Sequence, residues 1–276
     1  MKPAPFAYHA PDSLDAALEL LASGNGTRVL AGGQSLVQAM KFRTERPSAL
    51  VDINRIPELE TLEEREGELH IGALVRQQAL LEEPLVAAGW PLLAAGARFV
   101  GYRETRRRGT VAGSLAFAAP WGELTAVVVA LDAAIDVRSA RGERSIRARE
   151  FFRGPHQTAL EPGELIVSVR VPRPADGAGT GFQEVSARHR DYAQLAAAAV
   201  VLPDGAAELV LLCAASTPLR VDASGAVDDE HAIEELLAGI EPLDDVEASA
   251  AYRRRVAPVL ARRALRDAAA GAKAGT

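Results

Sequence analysis

The sequence predicts a mixed α+β fold, on three observations. Near the N-terminus, extended segments flank a helical pattern, which is typical of a β-α-β unit of about fifty residues. In the last hundred residues, extended segments precede two helical patterns, as in a small α+β domain. Residues 172–179, rich in proline, glycine and alanine, indicate a linker between the two regions. We therefore expect one domain over residues 1–175, with subdomains of about 1–57 and 58–175, and a second over 176–276.

The first unit alternates strands and helices. Ser13 precedes leucines at helical spacing and can cap that helix, and glycines at positions 24 and 26 end it. A strand then runs directly into a turn that contains two glycines. We expect strands at residues 6–8, 27–30 and 50–53. A helix is expected at 14–21, the turn at 31–35 and a short helical stretch at 36–42.

The second unit combines several strands with helical stretches. We expect antiparallel pairing around the turn at Arg141 and Gly142. Residues 103–120 lack a clean period and are dense in glycine, threonine, serine and arginine, so an extended loop is predicted there. Strands are predicted at residues 68–72, 134–139, 143–146 and 165–171, and helices at residues 77–81, 85–97 and 124–131.

The C-terminal region is predicted to contain strands followed by helices. Its last helix carries an apolar stripe, and its many arginines, Arg253 among them, are predicted to form a solvated face. The strands are expected at 181–186, 196–202 and 208–213, and the helices at 231–237 and 248–269.

The composition counts against several classes of protein. The chain contains 37 Asp and Glu residues and 31 Lys and Arg residues, which gives a net charge of −6. Nucleic acid is therefore not expected as the main partner. No uncharged apolar run reaches the roughly 18 residues of a membrane span, and no signal peptide is recognisable, so we expect a cytoplasmic protein. The single cysteine, Cys213, allows neither an intrachain disulfide nor an iron–sulfur cluster on this chain.

Familiar nucleotide and metal signatures are missing from the sequence. No G-x-G-x-x-G segment follows a strand, so a Rossmann site is not predicted, and a Walker-type phosphate loop is also missing. The five histidines are scattered without metal-ligand spacing. We therefore predict no metal site and name no catalytic acid or base.

Two glycine-containing turns are the candidate binding elements. Residues 31–35 follow a strand, and residues without Cβ atoms let backbone N–H groups approach a phosphate; a plain tight turn is the alternative. In residues 109–115, the hydroxyls of Thr110 and Ser114 lie beside backbone N–H groups, a suitable lining for pyrophosphate. Glu123 could accept hydrogen bonds from a ribose, or could simply complement the dipole of the helix that it begins.

Four motifs follow one another along nearly the whole chain: 31–36 with 40–43 and 50–54, then 110–116 with 120–124, then 164–172, and finally 181–193. Their residues are AGGQSL, MKFR and LVDIN; TVAGSLA and PWGEL; ELIVSVRVP; and a segment that begins with GFQEV. In this order they resemble the flavin subunits of molybdenum hydroxylases. That family includes the medium subunit of aerobic carbon monoxide dehydrogenase and the flavin domain of xanthine dehydrogenase.

The resemblance implies the fold, the cofactor and its binding residues. The fold is the two-subdomain FAD-binding type of vanillyl-alcohol oxidase (the PCMH type), with the flavin between the subdomains, followed by a small α+β domain. The cofactor is FAD, whose pyrophosphate the first turn would hold through backbone N–H groups. The implied cofactor-binding residues are Leu30, Ala31, Gly32, Gly33, Gln34, Ser35, Leu36, Val100, Thr110, Ala112, Gly113, Ser114, Glu123, Ile166 and Glu184.

Within this set, the resemblance implies distinct roles. The residues of the second turn would flank the phosphates and the ribityl chain. Glu123 would contact the adenosine ribose, Ile166 would lie near the flavin ring, and Val100 would supply an apolar contact with the flavin. Glu184 stands near the position where many relatives have a lysine close to the ring. A carboxylate there would disfavour negative charge on the flavin, because like charges repel.

The second turn departs from the pattern of the family. Ala112 replaces the first glycine of a Gly-Gly pair, so an extra methyl group is expected near the cofactor. Ser114 replaces an asparagine or aspartate. Phe117 and Ala119 replace a histidine and an aspartate of many relatives. These changes motivate the flavin-poor alternative given below.

The resemblance implies an oxidoreductase subunit that carries FAD and transfers electrons. It would take electrons from iron–sulfur clusters on a small partner subunit and pass them to an external acceptor. A large subunit with the molybdenum cofactor would complete a heterotrimer, which two-fold symmetry would double. Two alternatives stay open: a flavin-poor scaffold subunit of the same kind of complex, and a stand-alone oxidase with covalent FAD, for which His156 or His189 is a conceivable attachment point.

Overall fold

Three main sheets succeed one another along the chain in a computed structural model that describes residues 2–274. The first is a three-stranded parallel sheet, the second a five-stranded antiparallel sheet, and the third a four-stranded antiparallel sheet. The mixture of helices and strands confirms the predicted α+β class. Among the described residues, no helix combines the length and apolar character needed to cross a membrane.

The first sheet is a parallel β-α-β arrangement with its last strand in the middle. The helix α1 begins after Ser13, whose Oγ accepts a hydrogen bond from the Ala16 amide at 3.4 Å. Its buried residues recur at helical spacing and pack into the core. The elements are β1 (Ala7–His9), α1 (Leu14–Ser23), β2 (Thr27–Leu30), α2 (Leu36–Phe42) and β3 (Ala49–Asp52), in the sheet order β1-β3-β2.

The second sheet contains strands from both ends of a long helical insertion. Its order is β4-β5-β10-β6-β7, so the late strand β10 lies at its centre. The elements are β4 (Leu62–Arg65), β5 (Glu68–Gly72), α3 (Ala79–Glu82), α4 (Pro84–Gly89), α5 (Pro91–Ala97), α6 (Arg103–Arg106), α7 (Val111–Phe117), α8 (Glu123–Ala130), β6 (Ala134–Ser139), β7 (Gly142–Arg147), α9 (Ala148–Phe151), β8 (Phe152–Gly154), β9 (Gln157–Thr158) and β10 (Leu165–Pro172).

The extended loop expected over residues 103–120 is wrong, because this segment contains the short helices α6 and α7. Thr110 caps α7, since its side chain accepts a hydrogen bond from the Gly113 amide at 3.0 Å. Val111 and Leu115, four residues apart, bury the same face of the helix. Burial of this face offsets the poor helix propensity of the glycine and serine.

The third sheet is an antiparallel meander covered by a long helix. Its elements are β11 (Gly179–Ser186), β12 (Ala193–Val201), β13 (Ala207–Leu212) and β14 (Leu219–Asp222), followed by α10 (Glu230–Leu237) and α11 (Ala250–Ala274). The α11 backbone lies directly against β11: a Cβ atom added at Gly181 would come within 2.1 Å of the Ala264 carbonyl oxygen. Glycine at this position therefore permits the close contact of helix and strand.

The arginines of α11 do not all lie on a solvated face, so that expectation is wrong for Arg253. Its guanidinium is buried and donates hydrogen bonds to the carbonyl oxygens of Gln194 and Leu243, both at 2.7 Å. It also forms an ion pair with Asp245 at 2.9 Å. These bonds neutralise the buried charge and tie α11 to β12 and to the segment before the helix.

The helix α8 packs between other helices of the first region and the third sheet. All eight of its residues are buried, and it packs against β12 and β13. Beside it, Phe99 after α5 lies against Phe182 of β11, with ring centroids 5.2 Å apart. The apolar side chains of the two regions therefore form one continuous core.

Candidate functional site

A cleft of about 330 Å³ opens at the carboxyl ends of β2 and β3. The two strands are parallel neighbours, so the segments that follow them meet at the same edge of the sheet. The cleft contains most of the first predicted turn together with polar and charged side chains. Its lining consists of Leu30, Ala31, Gly32, Gly33, Gln34, Val37, Gln38, Lys41, Asp52, Asn54 and Arg108.

The two glycines of the first turn have different structural roles. Gly33 has a φ of +71°, in the left-handed region that favours glycine. At Gly32, an added Cβ atom would lie 2.2 Å from the Arg108 carbonyl oxygen and 2.7 Å from the Gly109 Cα atom. The first turn therefore lies directly against the first residue of the second turn and the residue before it, so the fold brings the two candidate elements together.

A chain of hydrogen bonds joins the same two turns. Asn54 Nδ2 donates to the Ala31 carbonyl oxygen at 2.9 Å and to Asp52 Oδ1 at 2.6 Å. Arg76 donates to Asn54 Oδ1 at 2.7 Å and to the Arg108 carbonyl oxygen at 2.9 Å. We call Asn54 and Arg76 the clasp, because together they connect the backbone of the first turn with the backbone that enters the second.

The charges of the cleft are of both signs. Lys41 and Arg108 supply positive charge at the lining, where an anionic ligand would be favoured. Asp52 also lies there; partial burial opposes its ionisation, but hydrogen bonds from Tyr8 and Asn54 lower the pKa of this carboxyl group. Its hydrogen bonds direct the Asp52 carboxylate toward the protein.

The second turn is held by neighbouring polar side chains. The Gln77 amide N–H donates to the Gly109 carbonyl oxygen at 2.9 Å, and its side chain donates to Ser114 Oγ at 2.5 Å. Gly113 is exposed, whereas Ala112 is 4% exposed and its methyl group packs into the hydrophobic core. The extra methyl group of this chain therefore takes up core space and leaves the exposed side of the turn free.

The remaining predicted residues lie outside the lining of the cleft. Val100 follows α5 and is half-buried, and Ile166 is buried in β10. Glu123 begins α8 and is buried, and Glu184 lies on β11 and is half-buried. Burial raises the pKa of Glu123 to about 7; burial, and secondarily the charge of Glu123, raises the pKa of Glu184 to about 9.

Sequence reasoning gave no role to Asn54, Arg76 or Arg108. A signal for Asn54 was available, because it follows a strand that was expected to lie parallel to the strand before the first turn. The carboxyl ends of such strands share an edge. No comparable signal marks Arg76, which reaches Asn54 across 22 positions of the chain.

The described residues fit the diphosphate of an FAD molecule. The first turn offers backbone N–H groups beside residues without Cβ atoms, and within residues 2–274 no hydrogen-bond acceptor is paired with the amides of Gly32, Gly33 or Gln34. Lys41 and Arg108 supply complementary charge. Unpaired backbone donors next to cations form an anion-binding site.

Comparison with known proteins agrees with this geometry. Residues 4–174 match the family described as the FAD binding domain in molybdopterin dehydrogenase. The chain is 37% identical to the 6-hydroxypseudooxynicotine dehydrogenase complex subunit alpha of Paenarthrobacter nicotinovorans, over 97% of this chain and 96% of that protein. It is 34% identical to the carbon monoxide dehydrogenase medium chain of Hydrogenophaga pseudoflava, over 97% and 98% of the two chains.

Solved structures show the same similarity. A chain of the carbon monoxide dehydrogenase from Hydrogenophaga pseudoflava superposes with a TM-score of 0.93 and 34% identity, over 98% of this chain and 99% of that one. A chain of quinoline 2-oxidoreductase from Pseudomonas putida 86 gives a TM-score of 0.91 at 34% identity, over 99% of both chains. The protein thus belongs to the family of FAD-binding subunits of molybdenum hydroxylases, is an oxidoreductase flavoprotein, and has FAD as its cofactor.

Proposed function

We propose that this chain is the electron-transfer subunit of a molybdenum hydroxylase, and that FAD connects its partners with an external electron acceptor. The single observation that carries the proposal is the contact of Gly32 with Arg108 and Gly109, which unites the two turns into one anion-binding rim. Bound FAD would supply the redox chemistry, while the protein orients the cofactor and sets its electrostatic environment.

The proposal assigns residues 1–175 to the FAD-binding domain of the two-subdomain, PCMH type, and residues 176–276 to the C-terminal domain. Backbone N–H groups between Ala31 and Leu36 hold the pyrophosphate, and the turn from Thr110 to Ser114 flanks it. The clasp of Asn54 and Arg76 fixes the distance between the turns. The packing of Ala112 into the core supports a second turn that still accepts the cofactor.

We further propose an iron–sulfur small subunit and a molybdenum-cofactor large subunit as partners. One cysteine cannot ligate a cluster, so the donor of electrons has to lie on another chain. The similar proteins support this view, because their names describe a medium chain or a subunit of a dehydrogenase complex. A heterotrimer, doubled by two-fold symmetry, is the proposed assembly, and the cytoplasm is the proposed location.

Absorption spectroscopy of the purified full-length chain tests the cofactor and its attachment. We expect the purified chain to show the visible absorption bands of flavin. When acid precipitates the protein, the flavin should be released into the supernatant. Flavin that stays with the precipitate would support the covalent oxidase instead. A colourless chain that takes up no added FAD would contradict the electron-transfer role and favour the scaffold alternative.

Co-expression with the two proposed partners tests the assembly. Size-exclusion chromatography is expected to show one complex that contains all three chains, iron, sulfide and flavin. Elution of this chain as a free monomer beside intact partners would argue against the proposed heterotrimer.

A further inference from the structure

Gln77 lies directly behind the contact between the two turns. A Cβ atom added at Gly32 would lie 2.7 Å from the Gly109 Cα atom, and a Cβ atom added at Gly109 would lie 2.6 Å from Gln77 Oε1. The Gln77 side chain is 4% exposed. Two glycines in succession therefore stack the first turn, the second turn and the Gln77 carboxamide against one another.

Gln77 also holds the second turn at two points. Its backbone N–H group donates to the Gly109 carbonyl oxygen at 2.9 Å, and its Nε2 atom donates to Ser114 Oγ at 2.5 Å. An antiparallel bridge between Arg76 and Thr110 keeps the two segments in register. The first residue of the second turn and the hydroxyl group near its end are thus both fixed by Gln77.

The hydrogen bond from Gln77 leaves the proton of the Ser114 hydroxyl group unused. A serine hydroxyl group has one proton to donate and two lone pairs that accept. The Gln77 Nε2 atom occupies one lone pair, so the O–H bond has to point elsewhere. Among residues 2–274, no acceptor is paired with this proton, and Ser114 is only half-buried. The hydroxyl proton is therefore available to a bound molecule.

Packing alone does not explain an amide at position 77. The Gln77 Oε1 atom is buried and has no hydrogen-bond partner within the described part of the chain. A buried acceptor without a donor destabilises a fold. Methionine would fill a similar volume without an unsatisfied polar atom. The amide is better explained by the hydrogen bond that it donates to Ser114.

The groups around the two turns suit a negatively charged oxygen atom. The backbone amides of Gly32 and Gly33 have no acceptor among the described residues, and Lys41 and Arg108 line the cleft beside them. A hydroxyl proton supplied by Ser114 would add a further donor to this set. Hydrogen bonds to an ionised acceptor are shorter and stronger than those between neutral groups.

We propose that Gln77 is a positioning residue of the cofactor site, which directs the Ser114 hydroxyl proton toward an anionic oxygen atom of bound FAD. This inference rests on the proposed function. Because Gln77 donates to Ser114 Oγ, the hydroxyl group is left as a donor for the cofactor. Gln77 itself touches no part of the cofactor and acts only through Ser114.

A double-mutant cycle on the full-length, FAD-free chain, titrated with FAD, tests the proposal. Gln77→Met keeps the volume but removes the hydrogen bond, so the dissociation constant should rise about three- to tenfold. The same substitution made together with Ser114→Ala should change the constant by less than about twofold, because no hydroxyl group is left to direct. Ser114→Ala alone should raise the constant at least as much as Gln77→Met.

Gln77→Glu tests the direction of the hydrogen bond. An ionised carboxylate of the same shape can only accept, so it would take the Ser114 proton for itself. The dissociation constant for FAD is expected to rise about tenfold or more near neutral pH. In the Ser114→Ala chain the rise should be smaller, since the reversal then has no hydroxyl group to act on.

Gln78→Met is the matched control, because Gln78 is a buried glutamine that makes no hydrogen bond to the second turn. Gln78 is 8% exposed, accepts from Arg106 Nε at 3.0 Å and donates to Glu82 Oε1 at 3.0 Å. Its substitution should change the dissociation constant by the same factor with and without the Ser114 hydroxyl group. Urea unfolding of the FAD-free variants measures their stability separately from their affinity.

The possible failures are distinguishable. An equal rise of the dissociation constant on Gln77→Met with and without the Ser114 hydroxyl group would overturn the inference. So would a Gln77→Glu chain that binds FAD as tightly as the wild type, or a Ser114→Ala chain with unchanged affinity, which does not depend on any Gln77 variant. Each result leaves the proposed function intact. A wild-type chain that takes up no FAD would overturn the proposed function itself, and with it the role of Gln77.

Discussion

Gly32 occupies a position where the space for a side chain is filled by another backbone segment. The contact is not a matter of backbone conformation, because the left-handed residue of this turn is Gly33. At Gly32 the limit is the carbonyl oxygen of Arg108, 2.2 Å from where a Cβ atom would lie. A backbone atom cannot move aside as a flexible side chain can, so even a methyl group would displace one of the two turns.

Gly32→Ala is therefore expected to weaken the binding of FAD strongly. Relief of the clash separates the turns, and overpacking of this kind typically costs about 1–3 kcal/mol. The dissociation constant for FAD, measured by titration, should rise at least about tenfold. Gly239→Ala adds a methyl group in open space and is the matched control. Equal FAD affinities of the two variants would show that the turns tolerate separation.

At the scale of elements, the clasp links a strand end with the entry to a helix. Arg76→Met keeps much of the apolar volume but removes the hydrogen bonds to Asn54 and to the Arg108 carbonyl oxygen. Loss of a partner of part-buried polar groups costs about 1–3 kcal/mol. We expect FAD affinity to fall about tenfold or more, measured by titration. Arg65→Met, on the exposed end of β4, should bind FAD like the wild type.

The buried arginine of α11 stabilises the third sheet. Arg253→Met would leave the Asp245 carboxylate without its cation and three carbonyl oxygens without this donor. Each buried acceptor left without its donor costs about 1–3 kcal/mol, whereas the Asp245 side chain is 30% exposed and stays partly hydrated. Urea unfolding should show this loss of stability, while exposed Arg263→Met should stay within about 0.5 kcal/mol of the wild type. A small effect of Arg253→Met would mean that water replaces the guanidinium.

The sequence predicted elements with clear periodicity better than short ones. Three of the four strands of the third sheet and the helix α1 were predicted because apolar residues recur at the period of each structure, whereas the four-residue strand β14 was not predicted. The helix α7 was not, because glycine, serine and threonine in a short segment are typical of a loop. Arg253 shows a related limit: arginines cluster in α11, and no local pattern indicates which of them the fold buries.

At the scale of the whole molecule, the candidate site depends on long-range contacts. The glycine turns were identified from the sequence, and their family pattern indicated FAD. The contact between the turns and the clasp were not identified, because Ala31, Asn54, Arg76 and Arg108 lie in four separate segments of the chain that meet only in the complete fold. Sequence spacing carries information about neighbours along an element but little about contacts between elements.

The two regions of the molecule should unfold together as long as their shared core is intact. Phe182 lies at the contact with Phe99 and is 7% exposed. We expect Phe182→Ala to cost about 3–5 kcal/mol and to uncouple the regions. Urea transitions followed by tryptophan fluorescence and by far-ultraviolet circular dichroism should then no longer coincide. Phe42→Ala, at a side chain that is 71% exposed, serves as control, and coincident transitions in Phe182→Ala would contradict the uncoupling.

The single thiol of the chain lies at this junction, 3.4 Å from the Pro120 carbonyl oxygen and 3.5 Å from that of Ala193. Because Cys213 is buried, a thiol reagent can reach it only when the packing around it opens. The rate at which Cys213 is alkylated therefore reports the opening of the native protein, and no label has to be introduced. Any ligand that closes the junction would lower this alkylation rate, so one natural sulfur atom reports how often the molecule opens.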